Sequence, residues 1–441
     1  MGIKALLSKP LAAIAARKVK RWKRSALASQ ERILHQLLVD AAETSFGQDH
    51  HFKSIKSYED FKAAVPVRDY EALKAYVDRV VQGEENVLWP GKPMYFSKTS
   101  GTTSGAKYIP ISIESMGHHI EAARNALLLY IAETGKSSFV DGNMIFLQGS
   151  PVLQKKNGID TGRLSGIVAH HVPAYLQKNR LPSIETNSID DWETKVDRII
   201  DETFEKPMTL ISGIPSWVQH YFEKLLQRTG KATVQEVFPK FNLFVYGGVN
   251  FEPYRFRFER LIGKKVDSIE TYPASEGFIA FQDSQTEPGL LLNTDAGIFF
   301  EFIPSAQFFD ENPERLRLHD VALHENYALV MSTNAGLWAY SIGDTVKFIS
   351  KNPYKLLVTG RIKHFTSAFG EHVIAEEVEE AMKEALNACG GQVIEFTLAP
   401  QLEPAEGLPY HEWLISFAEG PANMEAFAAA LDKALQKKNI Y

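Results

Sequence analysis

Residues 29–46 place Ile33, Leu34, Leu37, Leu38, Ala41 and Ala42 on one helical face, and Gly47 follows as a stop signal. The spacing predicts an amphipathic helix there. From about residue 90, short apolar runs at 144–147, 244–246, 268–272, 298–302 and 328–331 alternate with longer helical stretches. This alternation predicts an α/β domain, β-sheets flanked by helices. Further on the pattern changes. A strand near 356–359 precedes a helix carrying Val378, Ala381, Met382, Ala385 and Leu386, then strands near 393–398 and 413–417 and a helix from about Asn423. That order predicts a small C-terminal α+β domain. The expected division lies near Gly360, with a large domain over 1–359 and a small mobile one over 360–441. No internal repeat or low-complexity linker interrupts the chain.

Composition narrows the class. The 441 residues are 44% apolar and 23% charged, values of a globular chain rather than a disordered or fibrous one. A formal charge of −6 argues against bulk nucleic-acid binding, which needs Lys and Arg to neutralise phosphates. The single cysteine, Cys389, permits no intrachain disulfide and no Cys-based zinc site, as in a reducing cytoplasm, and Gly390 and Gly391 after it mark a helix end. No uninterrupted apolar run reaches the roughly 20 residues that cross a bilayer, so no integral membrane association is expected. Arg17, Lys18, Lys20, Arg21, Lys23 and Arg24 crowd around Val19 and Trp22, which predicts a basic helix packed on the body, with contact to a membrane surface as the other reading. Met1-Gly2 begins like a myristoylation signal, but Leu6 stands where Ser or Thr is needed.

The candidate chemistry sits in four fragments. Ser97-Lys98-Thr99-Ser100-Gly101-Thr102-Thr103-Ser104-Gly105-Ala106-Lys107 combines glycines, hydroxyls and a closing lysine. Glycines let backbone amides approach anionic oxygens, hydroxyls donate hydrogen bonds, and lysine adds positive charge, so the segment suits phosphate. It is not the P-loop of nucleoside triphosphatases, because Ala106 separates Gly105 from Lys107 and Tyr108 follows. Tyr272-Pro273-Ala274-Ser275-Glu276-Gly277 follows a predicted strand, where α/β folds place ligand contacts. There an aromatic can cover a base, Ser275 can donate to an oxygen, and Glu276 can hold the magnesium that ATP brings; a core tyrosine beside a helix-capping Ser-Glu pair is the competing reading. Tyr340-Ser341-Ile342-Gly343-Asp344 puts a carboxylate after a tight turn, suited to a ribose diol. Gly360-Arg361-Ile362-Lys363 comes last, ahead of Gly370, Glu377 and Glu379.

In this order the fragments resemble the signatures of the adenylate-forming superfamily of acyl-CoA synthetases, luciferases and peptide-synthetase adenylation domains. The resemblance implies that Thr99, Ser100, Gly101, Thr102, Thr103, Gly105 and Lys107 form the phosphate motif. It implies further that Gly247 and Gly248 lie beside adenine, that Tyr272, Ser275 and Glu276 form the adenine and magnesium motif, and that Asp344 holds the ribose. Arg361 becomes another nucleotide contact, and Lys363 falls on the hinge position, which is often Asp in the superfamily. A closer resemblance spans nearly the whole chain. The segments 96–110, 211–217, 247–253 and 366–372 are similar to signature words of the auxin-responsive-promoter family of acyl-acid amido synthetases, in a bacterial-type version. It implies ATP and magnesium as cofactors, with Lys107 and Glu276 catalytic. The implied reaction adenylates a carboxylic acid, releases pyrophosphate, and passes the acyl group to an amine, an amino acid in this family, with release of AMP. The small domain is expected to rotate between the two steps.

Two rivals stand beside this reading: an acyl-CoA ligase sharing the first half-reaction, and a non-catalytic nucleotide-binding or scaffold protein. The second is suggested by the C-terminus. The superfamily ends its small domain with a lysine that contacts the acid and α-phosphate, and this family usually extends several dozen residues further. Lys433, Lys437 and Lys438 read as solvated helix residues instead. The 441-residue chain is therefore expected to bind ATP or AMP yet adenylate poorly beside a longer version. The pairs His118-His119 and His170-His171 lack helical metal spacing, and structural roles are expected for them.

Overall fold

The computed structural model describes residues 2–99, 106–172, 177–248, 251, 255–362, 373, 375–401 and 410–438. Its strands are β1 (Tyr95–Thr99), β2 (Lys107–Ile111), β3 (Asn143–Phe146), β4 (Gln154–Lys156), β5 (Ile159–Gly162), β6 (Arg180–Leu181), β7 (Met208–Ser212), β8 (Leu243–Gly247), β9 (Asp267–Ala274), β10 (Gly277–Phe281), β11 (Leu290–Leu292), β12 (Ile298–Pro304), β13 (Leu316–Arg317), β14 (Asn326–Thr333), β15 (Tyr340–Lys351), β16 (Tyr354–Arg361), β17 (Gln392–Gln401) and β18 (Tyr410–Glu419). All the apolar runs read as strands fall within these bounds or overlap them by all but one residue.

The largest sheet has twelve strands in the order β13-β12-β14-β15-β16-β11-β10-β9-β8-β7-β3-β6. From β9 to β6 neighbouring strands are parallel; from β9 to β13 they are antiparallel. The parallel end is covered on both faces, which is why its strands read as nearly continuous apolar runs. On one face the helix Ile113–Thr134 and α1 (Ile3–Arg24) bring Ala126, Leu129, Val19 and Trp22 against Leu210, Leu243 and Ile269. On the other, the helices Trp192–Thr203 and Pro215–Thr229 bring Val196, Tyr221 and Phe222 against Ile145, Ile211 and Phe244. In the antiparallel part, the pleat of β12 sends Phe299 and Ile303 to a core shared with Ile33, Leu37 and Trp338, and Phe300 and Phe302 to one shared with Tyr327 and Phe348.

Glu301, on the same strand, is fully buried. Arg315 grips it through two nitrogens, Nε at 3.0 Å and Nη2 at 2.8 Å, and the Tyr58 hydroxyl donates to it at 2.9 Å. Removing the guanidinium strands a carboxylate in the core. Arg315→Met is expected to cost about 3–5 kcal/mol of stability, measured as a fall in the urea midpoint.

The helix expected over 29–46 is two helices. α2 spans Ala26–Asp40, and α3 (Ser45–Asp49) restarts after Thr44, whose side chain accepts from the Gly47 amide. Gly47 is not a stop. A Cβ there would lie 2.1 Å from the Ala41 carbonyl oxygen, so the glycine permits a close approach of the two helices.

The C-terminal part pairs β17 with β18 in a two-stranded ribbon. The helices Ala375–Cys389 and Met424–Lys438 cover one face of it, sharing a core of Ala381, Met382, Ala385, Val393, Phe427 and Leu431. Lys438 reaches Glu380 at 2.8 Å and Glu384 at 2.9 Å, tying the helices together, while Lys433 and Lys437 are exposed. The mixed α/β architecture and the small C-terminal α+β unit therefore agree with the sequence pattern.

Candidate active site

The site forms where the large sheet changes from parallel to antiparallel. Parallel strands direct their carboxyl ends to one edge, and β8 and β9 end there with Gly247 and Ala274. Gly247 is set opposite Thr271, and a Cβ on it would stand 2.3 Å from the Thr271 carbonyl oxygen. Gly248 continues with φ +87°, a left-handed conformation that glycine adopts without strain. Gly247→Ala is expected to cost about 1–3 kcal/mol, read as a lower melting temperature, because the carbonyl is fixed in the ladder.

The turn from β9 to β10 carries Ser275 and Glu276. Ser275 Oγ lies 2.8 Å from Ser97 Oγ on β1, which ties this turn to a second sheet of order β2-β1-β5-β4. β1 and β2 form a hairpin in which Thr99 pairs with Lys107. Ser100, Gly101, Thr102, Thr103 and Gly105 lie outside the described residues; the hairpin sets the two ends of their segment side by side. Lys107 Nζ lies 5.5 Å from the Tyr70 ring centroid, and the Tyr70 hydroxyl accepts from the Tyr108 amide at 2.9 Å.

A polar chain closes the other side. The Tyr272 hydroxyl donates to Asp344 Oδ2 at 2.6 Å, and Arg361 Nε donates to Asp344 Oδ1 at 3.0 Å across the β15–β16 pair. Arg361 Nη2 also reaches the Ile342 carbonyl at 2.8 Å. Thr99, Lys107, Gly248, Tyr272, Ser275, Glu276, Asp344 and Arg361 thus line one cleft of about 1820 Å³. Gly247, expected beside adenine, is not among the lining residues, although its neighbours Tyr246 and Gly248 are.

Electrostatics single out Glu276. Burial raises its carboxyl to about 7; nearby Asp344 adds to the rise, while Lys107 and Arg361 oppose it. Burial also raises the Tyr272 hydroxyl well above its ordinary value, as does the negative charge of Asp344. A carboxyl held near neutrality in a cleft is a mark of functional sites.

Sequence reasoning read Tyr340 only as the start of the fragment that ends in Asp344, and it did not single out 68–70. The segment docks on β15: the Ser341 amide donates to the Arg68 carbonyl at 2.8 Å, and the Arg68 amide to the Ala339 carbonyl at 3.0 Å. Asp69 caps the helix Tyr70–Val81 and, with Tyr70 and Tyr340, lines the cleft. Only the helix-capping signal of Asp69 was available in the sequence, and it says nothing about a distant strand. The histidine pairs lie elsewhere: His119 is buried among apolar groups, His170 Nε2 is 2.8 Å from the Pro151 carbonyl, and His171 Nε2 is 3.1 Å from the Tyr95 hydroxyl. Among the described residues no group of three or more His, Cys, Asp or Glu is placed to hold a metal ion.

Twelve mixed strands beside a separate hairpin sheet, a cleft at the switch in strand direction, and a small C-terminal unit make up a fold shared with solved structures of known enzymes. The crystal structure of 2-hydroxyisobutyryl-CoA ligase in its postadenylation state superposes with TM-score 0.62 at 16% identity, covering 93% of this chain and 83% of that one. More similar is AtGH3.15 acyl acid amido synthetase in complex with 2,4-DB, with TM-score 0.79 at 16% identity over 97% of this chain and 85% of that chain. The profile of the GH3 family N-terminal domain matches residues 15–192, and that of the GH3 family central domain matches 291–361, together more than half of the chain. The chain belongs to the GH3 family. Among curated relatives, jasmonoyl–L-amino acid synthetase JAR4 of Nicotiana attenuata is 22% identical over 384 residues, 72% of this chain. The match spans 66%, just under two thirds, of that relative's length.

Proposed function

We propose that this chain is an ATP-dependent, AMP-forming acid–amino acid ligase: it adenylates a carboxylic acid and passes the acyl group to an amine, an amino acid. The observation that carries the reading is the convergence of Lys107, Glu276 and the Tyr272–Asp344–Arg361 chain in one cleft of a GH3-family fold. In it the acid's own carboxylate attacks the α-phosphorus of ATP and pyrophosphate leaves, so no covalent enzyme nucleophile is needed. Catalysis is then positioning and charge neutralisation. Lys107, at the turn end of the hairpin, offsets phosphate charge, and the Asp344 carboxylate is an acceptor for the ribose diol. In the second step the amine attacks the acyl-adenylate carbonyl and AMP leaves.

Magnesium fits this cleft through Glu276. The hard cation is usually bound by one or two carboxylates with substrate phosphates completing its oxygen shell, and the described residues offer the half-buried Glu276 carboxylate rather than a protein cage. When bound, the ion neutralises phosphate charge. Residues 360–441 are the part that turns between the two steps, on the proposal that the chain divides at Gly360.

Acid-dependent exchange of labelled pyrophosphate into ATP tests the first step, and the mass of the product formed with an amino acid or with CoA tests the second. Exchange with no acid dependence overturns the adenylation; a thioester product replaces the amide assignment. Asp344→Asn is expected to weaken AMP binding by about ten- to a hundredfold in a calorimetric titration, because a charge-assisted acceptor becomes a neutral one.

A further inference from the structure

α1 is built inside out. The face that packs on the body carries small or singly placed residues, Ala5, Ser8, Ala12, Ala15, Val19 and Trp22. The large aliphatic side chains point to solvent: Ile3 is 78% exposed, Leu6 60%, Leu7 59%, Leu11 54% and Ile14 62%. At 100° per residue, Ile3, Leu7, Leu11 and Ile14 form one stripe. Singly exposed large aliphatics are ordinary, but five on about three turns of one helix are a contiguous patch, which marks an interaction site.

The same outward side changes character beyond Ile14. Arg17, Lys18, Lys20, Arg21 and Arg24 are all exposed. Lys18 is paired with Glu121, and Lys23, half-buried, with Asp283, so both serve the body. Arg17, Lys20, Arg21 and Arg24 have no ion pair among the described residues. Four cations without an ion pair among the described residues stand together on a chain whose overall charge is −6. The helix is also held in place at its start, because Asp141 accepts from the Gly2 nitrogen at 2.6 Å and from the Ala5 amide at 3.1 Å, and Lys4 donates to Asn179 at 3.0 Å. The patch is therefore presented on a fixed helix.

We propose that the outward face of α1 docks on an anionic lipid surface, with Ile3, Leu6, Leu7, Leu11 and Ile14 entering the headgroup–acyl boundary and Arg17, Lys20, Arg21 and Arg24 on lipid phosphates. Apolar area gives such docking its depth, and cations select the negative surface. The charge decides for lipid over a second copy of this chain, which would bring the same four cations to the contact. No helix among the described residues is long and apolar enough to cross a membrane, so the contact is lateral. It is independent of the proposed reaction, since none of these residues lines the cleft.

The test is co-sedimentation of the full chain with vesicles of phosphatidylcholine alone and of phosphatidylcholine carrying phosphatidylglycerol, across salt. Binding is expected only with phosphatidylglycerol and is released by salt. Leu7→Ser/Leu11→Ser/Ile14→Ser and, separately, Arg17→Gln/Lys20→Gln/Arg21→Gln/Arg24→Gln are each expected to lower the bound fraction at least about tenfold. Both sets are exposed, so melting temperature should stay with the parent, which separates lost docking from lost fold. Absence of binding to the anionic vesicles overturns the proposal. So does a concentration-dependent dimer in lipid-free solution that Leu11→Ser/Ile14→Ser dissolves, since the face is then a contact between copies.

Discussion

Glu276→Gln is expected to abolish most acid-dependent pyrophosphate exchange, by about 10²–10³-fold, while making the ligand-free protein more stable above neutral pH. The two effects share one cause. Burial holds the Glu276 carboxyl up to about 7, so the folded chain keeps a proton that the unfolded chain has released. For a carboxyl raised on folding, stability is unaffected below the ordinary carboxylate range and falls as pH rises toward about 7. Above that the ionised group costs on the order of 3 kcal/mol, a cost the neutral amide does not carry. The variant should melt higher than the parent near pH ~8, and the gap should close near pH ~4. Magnesium requires the ionised carboxylate, so in the parent its affinity should rise with pH until about 7 and then level off. Lower stability of the glutamine variant near pH ~8 contradicts the burial argument; full exchange activity removes Glu276 from the site.

Lys107→Ala should reduce pyrophosphate exchange by about 10²–10³-fold with the melting temperature unchanged. The ammonium rests beside the Tyr70 ring at 5.5 Å, and its side chain is half-buried at the cleft rather than in a core. Substitutions at such positions stay within about 0.5 kcal/mol in stability. The deficit should fall on turnover more than on AMP affinity, because AMP lacks the β- and γ-phosphates whose charge moves in the transition state. Stopped activity together with a collapsed melting curve would mean that Lys107 holds the hairpin, and an unchanged exchange rate would mean that it serves neither purpose.

Much of this was legible in the chain itself, and the parts that were not have physical reasons. Apolar runs such as 244–246 are visible because a parallel strand is covered on both faces, so most of its positions are apolar. The order of strands is not, since β11 lies between β10 and β16 through pairings of residues such as Leu291 with Lys355, far apart in sequence. Gly47 shows how a local rule misleads: a glycine after a helical stripe signals a stop, yet here it allows two helices to touch. At the site, Lys107, Tyr272, Ser275, Glu276, Asp344 and Arg361 were readable because each stands in a short fragment of unusual chemistry. Asp69 and Tyr70 were not, because an N-cap and the buried tyrosine after it are ordinary in any fold. Only the backbone bridge from Arg68 to Tyr340 places them at the cleft.

The bond from Asp344 to Arg361 has a mechanical side. Arg361 is the last residue of β16, the strand by which the chain leaves the large sheet toward the C-terminal helices. On the proposed function, a ribose that draws on Asp344 perturbs the point of departure of everything beyond. Coupling of this kind obeys reciprocity: whatever factor nucleotide contributes to one placement of the C-terminal unit, fixing that placement must contribute to nucleotide affinity. Trp413, on the C-terminal ribbon, offers an optical readout of that exchange. With residues 360–441 turning as proposed, a cross-link that holds the ribbon against the large sheet should shift the AMP dissociation constant by the same ratio that AMP shifts the ribbon's own equilibrium.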